Sequence, residues 1–270
     1  MKVHRSGYYQ WLEQPISNRE QENQKLLITI KELYKESGSV YGYRNIQKDL
    51  KDLGILVDRK RVARLMSIAK LYGAGTYKRK PKSKAGALHK AHPNYLQQCF
   101  IASKPNESWV SDITYIRTHE GWLYLATVID LYSRKVIGWA TGSRQTTSLI
   151  ISALQMAASR IAKSDSVILH SDQGSQYSSR DYKKLAKKYN ITLSMSRRGN
   201  CYDNAVAESF FKTLKKELVR KQVFHTREVA ASKIFEYIEM FYNSKRRHSY
   251  LDYLSPNEFE KRYNLESLKN

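Results

Sequence analysis

Residues Ser108–Arg117 read SWVSDITYIR. Apolar and β-branched side chains alternate there with polar ones, the period of a half-buried strand. Asp112 sits in its middle, and a carboxylate among strand residues is costly to desolvate unless something positive faces it. Working outward, His119-Glu120-Gly121 predicts a turn, and Trp122–Asp130 (WLYLATVID) a near-continuous apolar strand. Ser133-Arg134 turns the chain into a third strand, Lys135–Thr141, so an antiparallel meander is expected. Thr146 can cap a helix running to about Ile161. Val167–Ser171 (VILHS) predicts a short buried strand with Asp172 just past its end. A basic helix, Asp181–Tyr189, then precedes a fifth strand, Ile191–Met195. Asn204–Glu217 closes the pattern as a helix with Ala205, Phe210, Phe211 and Leu214 apolar. The order β-β-β-α-β-α-β-α predicts an α/β protein, a mixed five-stranded sheet flanked by helices.

Three acids fall at telling places in that order. Asp112 is mid-strand, Asp172 ends the neighbouring strand, and Glu208 lies in the first turns of the late helix. Between Asp112 and Asp172 lie 59 residues, and between Asp172 and Glu208 lie 35. Converging carboxylates repel one another, and a divalent cation relieves both the repulsion and the desolvation. Hard Mg²⁺ or Mn²⁺ takes oxygen ligands and tolerates phosphate in its shell. Two such ions suit an in-line phosphoryl displacement. Each acid alone also has a structural reading, as turn-former, cap or surface helix residue. Asp130, which likewise ends a strand, is the rival acid: it is read as a turn-former at that strand's end, with approach to the site as the alternative.

The remainder of the chain is strongly basic. Its 270 residues hold 47 Lys and Arg against 25 Asp and Glu, a net charge of +22 that suits a polyanionic partner. Residues 1–95 carry 20 basic and 8 acidic residues, net +12, and residues 96–220 a further net +8. No apolar run is long enough to span a bilayer, and two cysteines make neither a disulfide framework nor a zinc set. Leu26, Leu27, Ile30, Leu33 and Tyr34 recur at helical spacing within residues 19–36, with Ser17 or Asn18 as cap. A second helix follows over 43–53, ending at Gly54. Asp58 can cap a third, apolar at Val62, Leu65 and Met66 and basic at Arg59, Lys60, Arg61 and Arg64. Helix, short turn, basic helix is the helix-turn-helix arrangement, though a small helical bundle shares the pattern. Residues 78–90 hold six Lys or Arg, including Lys78, Arg79 and Lys80, and no acid, which reads as a solvated tether or a phosphate-tracking arm. Domains are thus expected at 1–76 and 101–265, with a basic linker over 77–100.

The motifs resemble one known family. Trp109–Tyr115 (WVSDITY), His170–Tyr177 (HSDQGSQY) and Asp203–Glu217 (DNAVAESFFKTLKKE) resemble, in order, the three boxes of DDE transposases of the insertion-sequence-three family, specifically their OrfB catalytic part. Tyr242-Asn243, Arg246-Arg247-His248 and Leu254-Ser255-Pro256 resemble that domain's tail, and residues 40–66 its helix-turn-helix. The resemblance implies an RNase H-like integrase catalytic core with an N-terminal all-α helix-turn-helix domain. It also implies metal-dependent DNA cleavage and strand transfer at the ends of a mobile element. Asp112, Asp172 and Glu208 would be both catalytic residues and ligands of two Mg²⁺ or Mn²⁺ ions. Lys215, two helical turns after Glu208, would meet a phosphate, and the loop Ser196–Asn204, with Arg197 and Arg198, the DNA backbone. His170 beside Asp172 reads as a supporting or packing residue. Expected partners are double-stranded DNA (element ends and target), further copies of the chain, and an upstream-frame OrfA protein or fusion. A cytoplasmic, nucleoid-associated site of action without membrane attachment is expected. The competing readings are a non-catalytic DNA-binding relic or inhibitor of transposition, and a structure-selective nuclease on the same fold.

Overall fold

The computed structural model describes residues 4–13, 16–75, 92–161, 166–197 and 201–268. The chain divides into two compact units, residues 1–76 and 77–270.

The first unit is helical: α1 (Arg5–Glu13), α2 (Asn18–Glu36), α3 (Tyr43–Asp52) and α4 (Arg59–Ile68). Ser17 caps α2 by accepting from the Glu20 N–H, and Asp58 caps α4 by accepting from Lys60 N–H at 2.6 Å. Each cap satisfies a backbone donor left over at a helix start. Gly54, at φ +78°, lets the chain leave α3 in the left-handed region. Leu26, Ile30, Ile46, Leu50, Val62, Leu65 and Met66 are buried, so each helix of the α2–α4 trio turns its apolar stripe inward.

The second unit is built on a five-stranded sheet in the order β3-β2-β1-β4-β5. The strands are β1 (Ser108–Thr118), β2 (Gly121–Asp130), β3 (Val136–Gly142), β4 (Val167–Ser171) and β5 (Ile191–Met195). β1, β2 and β3 pair antiparallel, whereas β4 pairs parallel to both β1 and β5. The helices are α5 (Thr147–Ala158), α6 (Arg180–Lys188), α7 (Ala205–Glu217), α8 (Arg227–Phe235) and α9 (Pro256–Ser267), with a π-helical stretch, Glu236–Tyr242, continuing α8. The helix expected to reach Ile161 ends at Ala158, where the Ser159 N–H folds back to the Gln155 and Ala157 carbonyls.

Two cores lie on the two faces of the sheet. Val110 and Ile116 of β1 pack with Phe210, Phe211 and Leu214 of α7 and with Ile234 and Ile238. Trp109 of β1 and Leu169 of β4 pack with Leu149, Ala153 and Leu154 of α5 and with Tyr182 and Ala186 of α6. Strand side chains alternate between faces, so even-numbered β1 residues and His170 of β4 look toward α7. β3 reaches α5 closely because Gly138 has no side chain; a Cβ there would run into the Ala153 carbonyl and the backbone of Ala157.

Candidate active site

Register puts the first two acids together. Val110 pairs with His170 where β1 and β4 run parallel. Two residues further along each strand come Asp112 and Asp172, on the same alternation and therefore on α7's face. α7 brings the third. Its N-cap residue, Asn204, donates from Nδ2 to the Ser111 carbonyl at 3.3 Å, which fixes the start of the helix against β1 beside Asp112. Glu208 is one turn further on, exposed on the face that buried Ala207 and Phe211 leave free.

The electrostatics register this convergence. Burial, and then the charge of Asp172, push the Asp112 carboxyl up to about 7; Glu208 adds to the rise, while the Ile113 N–H and Lys215 oppose it. The Ile113 N–H donates to Asp112 Oδ1 at 2.7 Å. Desolvation also raises Asp172 and Glu208, and for Asp172 the Gly174 N–H pulls the other way. Nevertheless, among the described residues no group of three or more His, Cys, Asp and Glu side chains is drawn together tightly enough to hold a metal ion. The acids share a face and feel one another without forming a closed chelate. As a donor set they still fit a hard divalent cation: all three offer carboxylate oxygens, and Asp112 carries a charge that its surroundings disfavour.

Lys215 completes the cluster. Its Nζ lies 5.0 Å from the centroid of the Tyr115 ring, and Trp122 meets that ring edge-on, also at 5.0 Å. Desolvation lowers the Lys215 ammonium from its usual range and Asp112 opposes the drop, so the two side chains sense each other.

The loop after β4 is shaped around Asp172. The Gly174 N–H donates to Asp172 Oδ1 at 3.0 Å. A Cβ on Gly174 would lie 3.0 Å from that oxygen and 3.1 Å from Gln176 Oε1. The backbone there, at φ −57°, suits any residue. Gly174→Ala is therefore expected to fold normally but to push the carboxylate aside. We expect any activity that the three acids support to fall about tenfold to a hundredfold, the scale of a misplaced catalytic group, with little change in melting temperature. Full activity in steady-state assays would rule out that positioning role. Beneath this loop Tyr177 is fully buried, its hydroxyl 3.1 Å from Ser111 Oγ.

Other residues singled out by the sequence land elsewhere. Asp130 is the turn-former it resembled: it accepts from the Ser133 N–H and hydroxyl and from the Asn106 N–H. His170 does not bond Asp172; its Nδ1 lies 2.9 Å from Ser194 Oγ of β5, and burial keeps its pKa low. Arg197 is committed to Asp203, through its backbone N–H at 2.7 Å and its guanidinium at 3.1 and 3.2 Å. Arg61 pairs with Glu22 and Asn23 of α2, whereas among the described residues Arg59, Lys60 and Arg64 have no such side-chain partner. Arg198, Lys78, Arg79 and Lys80 lie outside the described residues.

Asp203 had no role in the sequence reading and turns out to organise this corner. Its buried carboxylate also accepts from Asn94 Nδ2 and Gln98 Nε2. Its pKa falls well below the usual range, the Arg197 side chain first among the causes. It thereby ties residues 94–98, the end of β5 and the start of α7 into one unit. The readable signal was an acid directly before an Asn-capped helix.

A β3-β2-β1-β4-β5 sheet with acids on β1, after β4 and on α7, together in one chain with a basic helical unit, defines an integrase-core protein with a helix-turn-helix-like domain. Family models agree: the integrase core domain matches residues 102–201 and 208–263, and the HTH-like domain residues 20–81. The chain is 42% identical over 262 residues to the transposase InsF for insertion sequence IS3A of Escherichia coli (strain K12), covering 96% of this chain and 91% of that protein. It is 44% identical over 246 residues to the transposase for insertion sequence element IS904 of Lactococcus lactis, covering 91% and 97%. The catalytic core domain of HTLV-2 integrase, solved with magnesium, aligns at 16% identity with a TM-score of 0.46, covering 59% of this chain and 99% of that one. The chain belongs to the insertion-sequence-three family of transposases.

Proposed function

We propose that this chain cuts and joins DNA strands at the ends of its insertion sequence. One observation carries the reading: three carboxylates from β1, the β4 loop and α7 share a face, and the other two help hold the Asp112 carboxyl near neutrality. Two Mg²⁺ or Mn²⁺ ions held by Asp112, Asp172 and Glu208 would neutralise charge on the phosphodiester and raise the acidity of the attacking hydroxyl. The chain's own residues then position the substrate. Gly174 and Ile113 N–H groups fix the two aspartates. Lys215, steadied over Tyr115, meets a phosphate oxygen beside the cleft. Water attacks one phosphodiester to free a 3′-OH, and that 3′-OH attacks a second. Both are in-line displacements in which placement supplies much of the rate.

Arg59, Lys60 and Arg64 on α4 suit contact with a DNA groove and its phosphates. Arg198, Lys78, Arg79 and Lys80 are assigned backbone contacts on sequence alone. Arg197, already bonded to Asp203, holds the loop rather than reaching outward. Two element ends must be held at once, so the active form is a dimer or larger, with an OrfA-type upstream protein as partner or fusion. Its site of action under this reading is cytoplasmic, nucleoid DNA; no described helix is long and apolar enough to cross a membrane.

The test is direct. Purified protein is incubated with end-labelled element termini and Mg²⁺ or Mn²⁺, with chelator as control. Strand cleavage and joining that disappear with chelator are expected. Failure to cut or join, even with the upstream partner added, overturns the enzymatic reading.

A further inference from the structure

Helix α6 carries more charge than the fold needs. Arg180–Lys188 reads RDYKKLAKK: five cations and one acid in nine residues. Tyr182 and Ala186 are buried against the α5 face of the sheet, so the cations are left on the outer side. A surface helix ordinarily interleaves acids at three- and four-residue spacing. Elsewhere in this unit Lys233 pairs with Glu236, Arg262 with Glu266 and Lys135 with Glu260. Among the described residues none of Arg180, Lys183, Lys184, Lys187 and Lys188 is in an ion pair; Lys188 only covers the Tyr189 ring. Such crowding is self-repulsive unless an external anion relieves it.

We propose that α6 is a second, sequence-independent docking surface for the backbone of duplex DNA. The inference rests on the reading that this chain acts on DNA, and it adds a surface outside the acidic site and the helix-turn-helix. Topology gives the surface a direction. β4 and β5 are parallel, and α6 is the crossover between them. It therefore starts at the end of β4 that carries Asp172 and runs back toward the start of β5. The row Arg180, Lys184, Lys188 leads away from the cleft over about 12 Å at ~1.5 Å per residue. Duplex DNA presents roughly seven phosphate charges over that length. Near the far end, Lys183, Lys187, Asn190 and Thr192 line a cavity of about 300 Å³ with His92. Buried His92 Nε2 has no hydrogen-bond partner among the described residues. α6 lies on the sheet face opposite α7, so this surface is separate from the acids and meets their side of the sheet only at its Arg180 end.

The test uses the full chain and a fluorescein-labelled 30-bp duplex of arbitrary sequence, with anisotropy measured across a salt series. Replacing Lys183, Lys184, Lys187 and Lys188 by Gln preserves helix propensity. We expect affinity near 0.1 M salt to fall at least about tenfold and the log–log salt slope to shrink by about two to three, as for two or three lost phosphate contacts. An equal charge change at Lys104, Lys233, Lys245 and Lys261 is expected to leave the slope unchanged. The single variants Lys184→Glu and Lys188→Glu, checked by circular dichroism, guard against a folding artefact. If the α6 and control sets bind alike, or the wild type binds no duplex, the proposal is overturned and α6 is a solvated face. If the α6 set loses affinity but the wild type never cuts DNA, this surface stands and the enzymatic reading falls.

Discussion

Asp112→Asn is expected to abolish strand cleavage and, in the absence of divalent metal, to make the protein more stable at pH 8. Removing one of three converging ligands costs about 10³-fold or more in rate, the scale on which preorganised charge stabilisation acts. The stability gain follows from the same crowding. The Asp112 carboxyl is pushed up to about 7 in the fold, against 3.8 for a free aspartate. Between those values the unfolded chain has released the proton while the folded chain still holds it. Stability therefore falls as pH rises through that window, and the deficit is complete above it. At ~1.4 kcal/mol per pH unit, the ionised carboxylate costs the metal-free fold on the order of 2–4 kcal/mol. Asparagine does not ionise and escapes this cost. Melting curves with chelator should coincide for wild type and variant near pH 4, diverge between pH 4 and 7, and stay apart by several degrees above. Added Mg²⁺ or Mn²⁺ should stabilise the wild type more than the variant. Near-wild-type cleavage by Asp112→Asn would sink the site assignment, and a variant less stable at pH 8 would show that the carboxyl is not strained.

The sheet was readable because periodicity is a local property. Alternation placed β1, a continuous apolar run placed β2, and VILHS placed β4 within a residue or so of their observed ends. Asp58 was readable as a cap, and Ser17 as one of two candidates beside Asn18, for the same reason, since a short acceptor before an apolar-periodic run has few other uses. Strand order and register are not local. The convergence of Asp112 with Asp172 depends on Val110 lying opposite His170, which the order of elements suggests but does not dictate. Polar contacts between distant segments were hidden altogether. Arg197 read as a free cation in a loop, and its engagement by Asp203 joins the end of β5 to the residue just before α7, a contact between separate elements. The tail motif was legible as a motif and not as a structure. Asn243 bonds both the N–H and the carbonyl of Val136, fastening β3. Ser255 and Glu258 form a capping box that starts α9, with Pro256 in its first turn.

Arg246, in that same tail, should prove among the least replaceable residues for stability. Its Nε and terminal nitrogen each donate at 2.8 Å to the two oxygens of Glu217, the last residue of α7. The Tyr237 hydroxyl donates to Glu217 as well, at 2.7 Å. The Glu217 side chain is only 4% exposed. Arg246→Ala removes both charge-assisted bonds from that buried carboxylate and leaves it the Tyr237 hydroxyl and the charge of Lys221. Breaking a buried pair from one side typically costs about 3–5 kcal/mol, because the remaining charge is stranded. Arg246→Lys keeps the charge but loses the two-pronged fit, so an intermediate loss is expected. Replacing both partners, Glu217→Met with Arg246→Met, removes the stranded charge and should recover most of the stability. Urea denaturation of the four proteins separates these cases, and an Arg246→Ala loss below about 1 kcal/mol would show the pair to be incidental. Cleavage assays on the double variant address function. α7 carries Glu208 and Lys215, and Glu217 anchors its end. If the pair only holds that end in place, an apolar substitute that restores the packing should restore the activity, whereas a double variant that is stable yet inactive would mean that the charges are needed to set the orientation of α7.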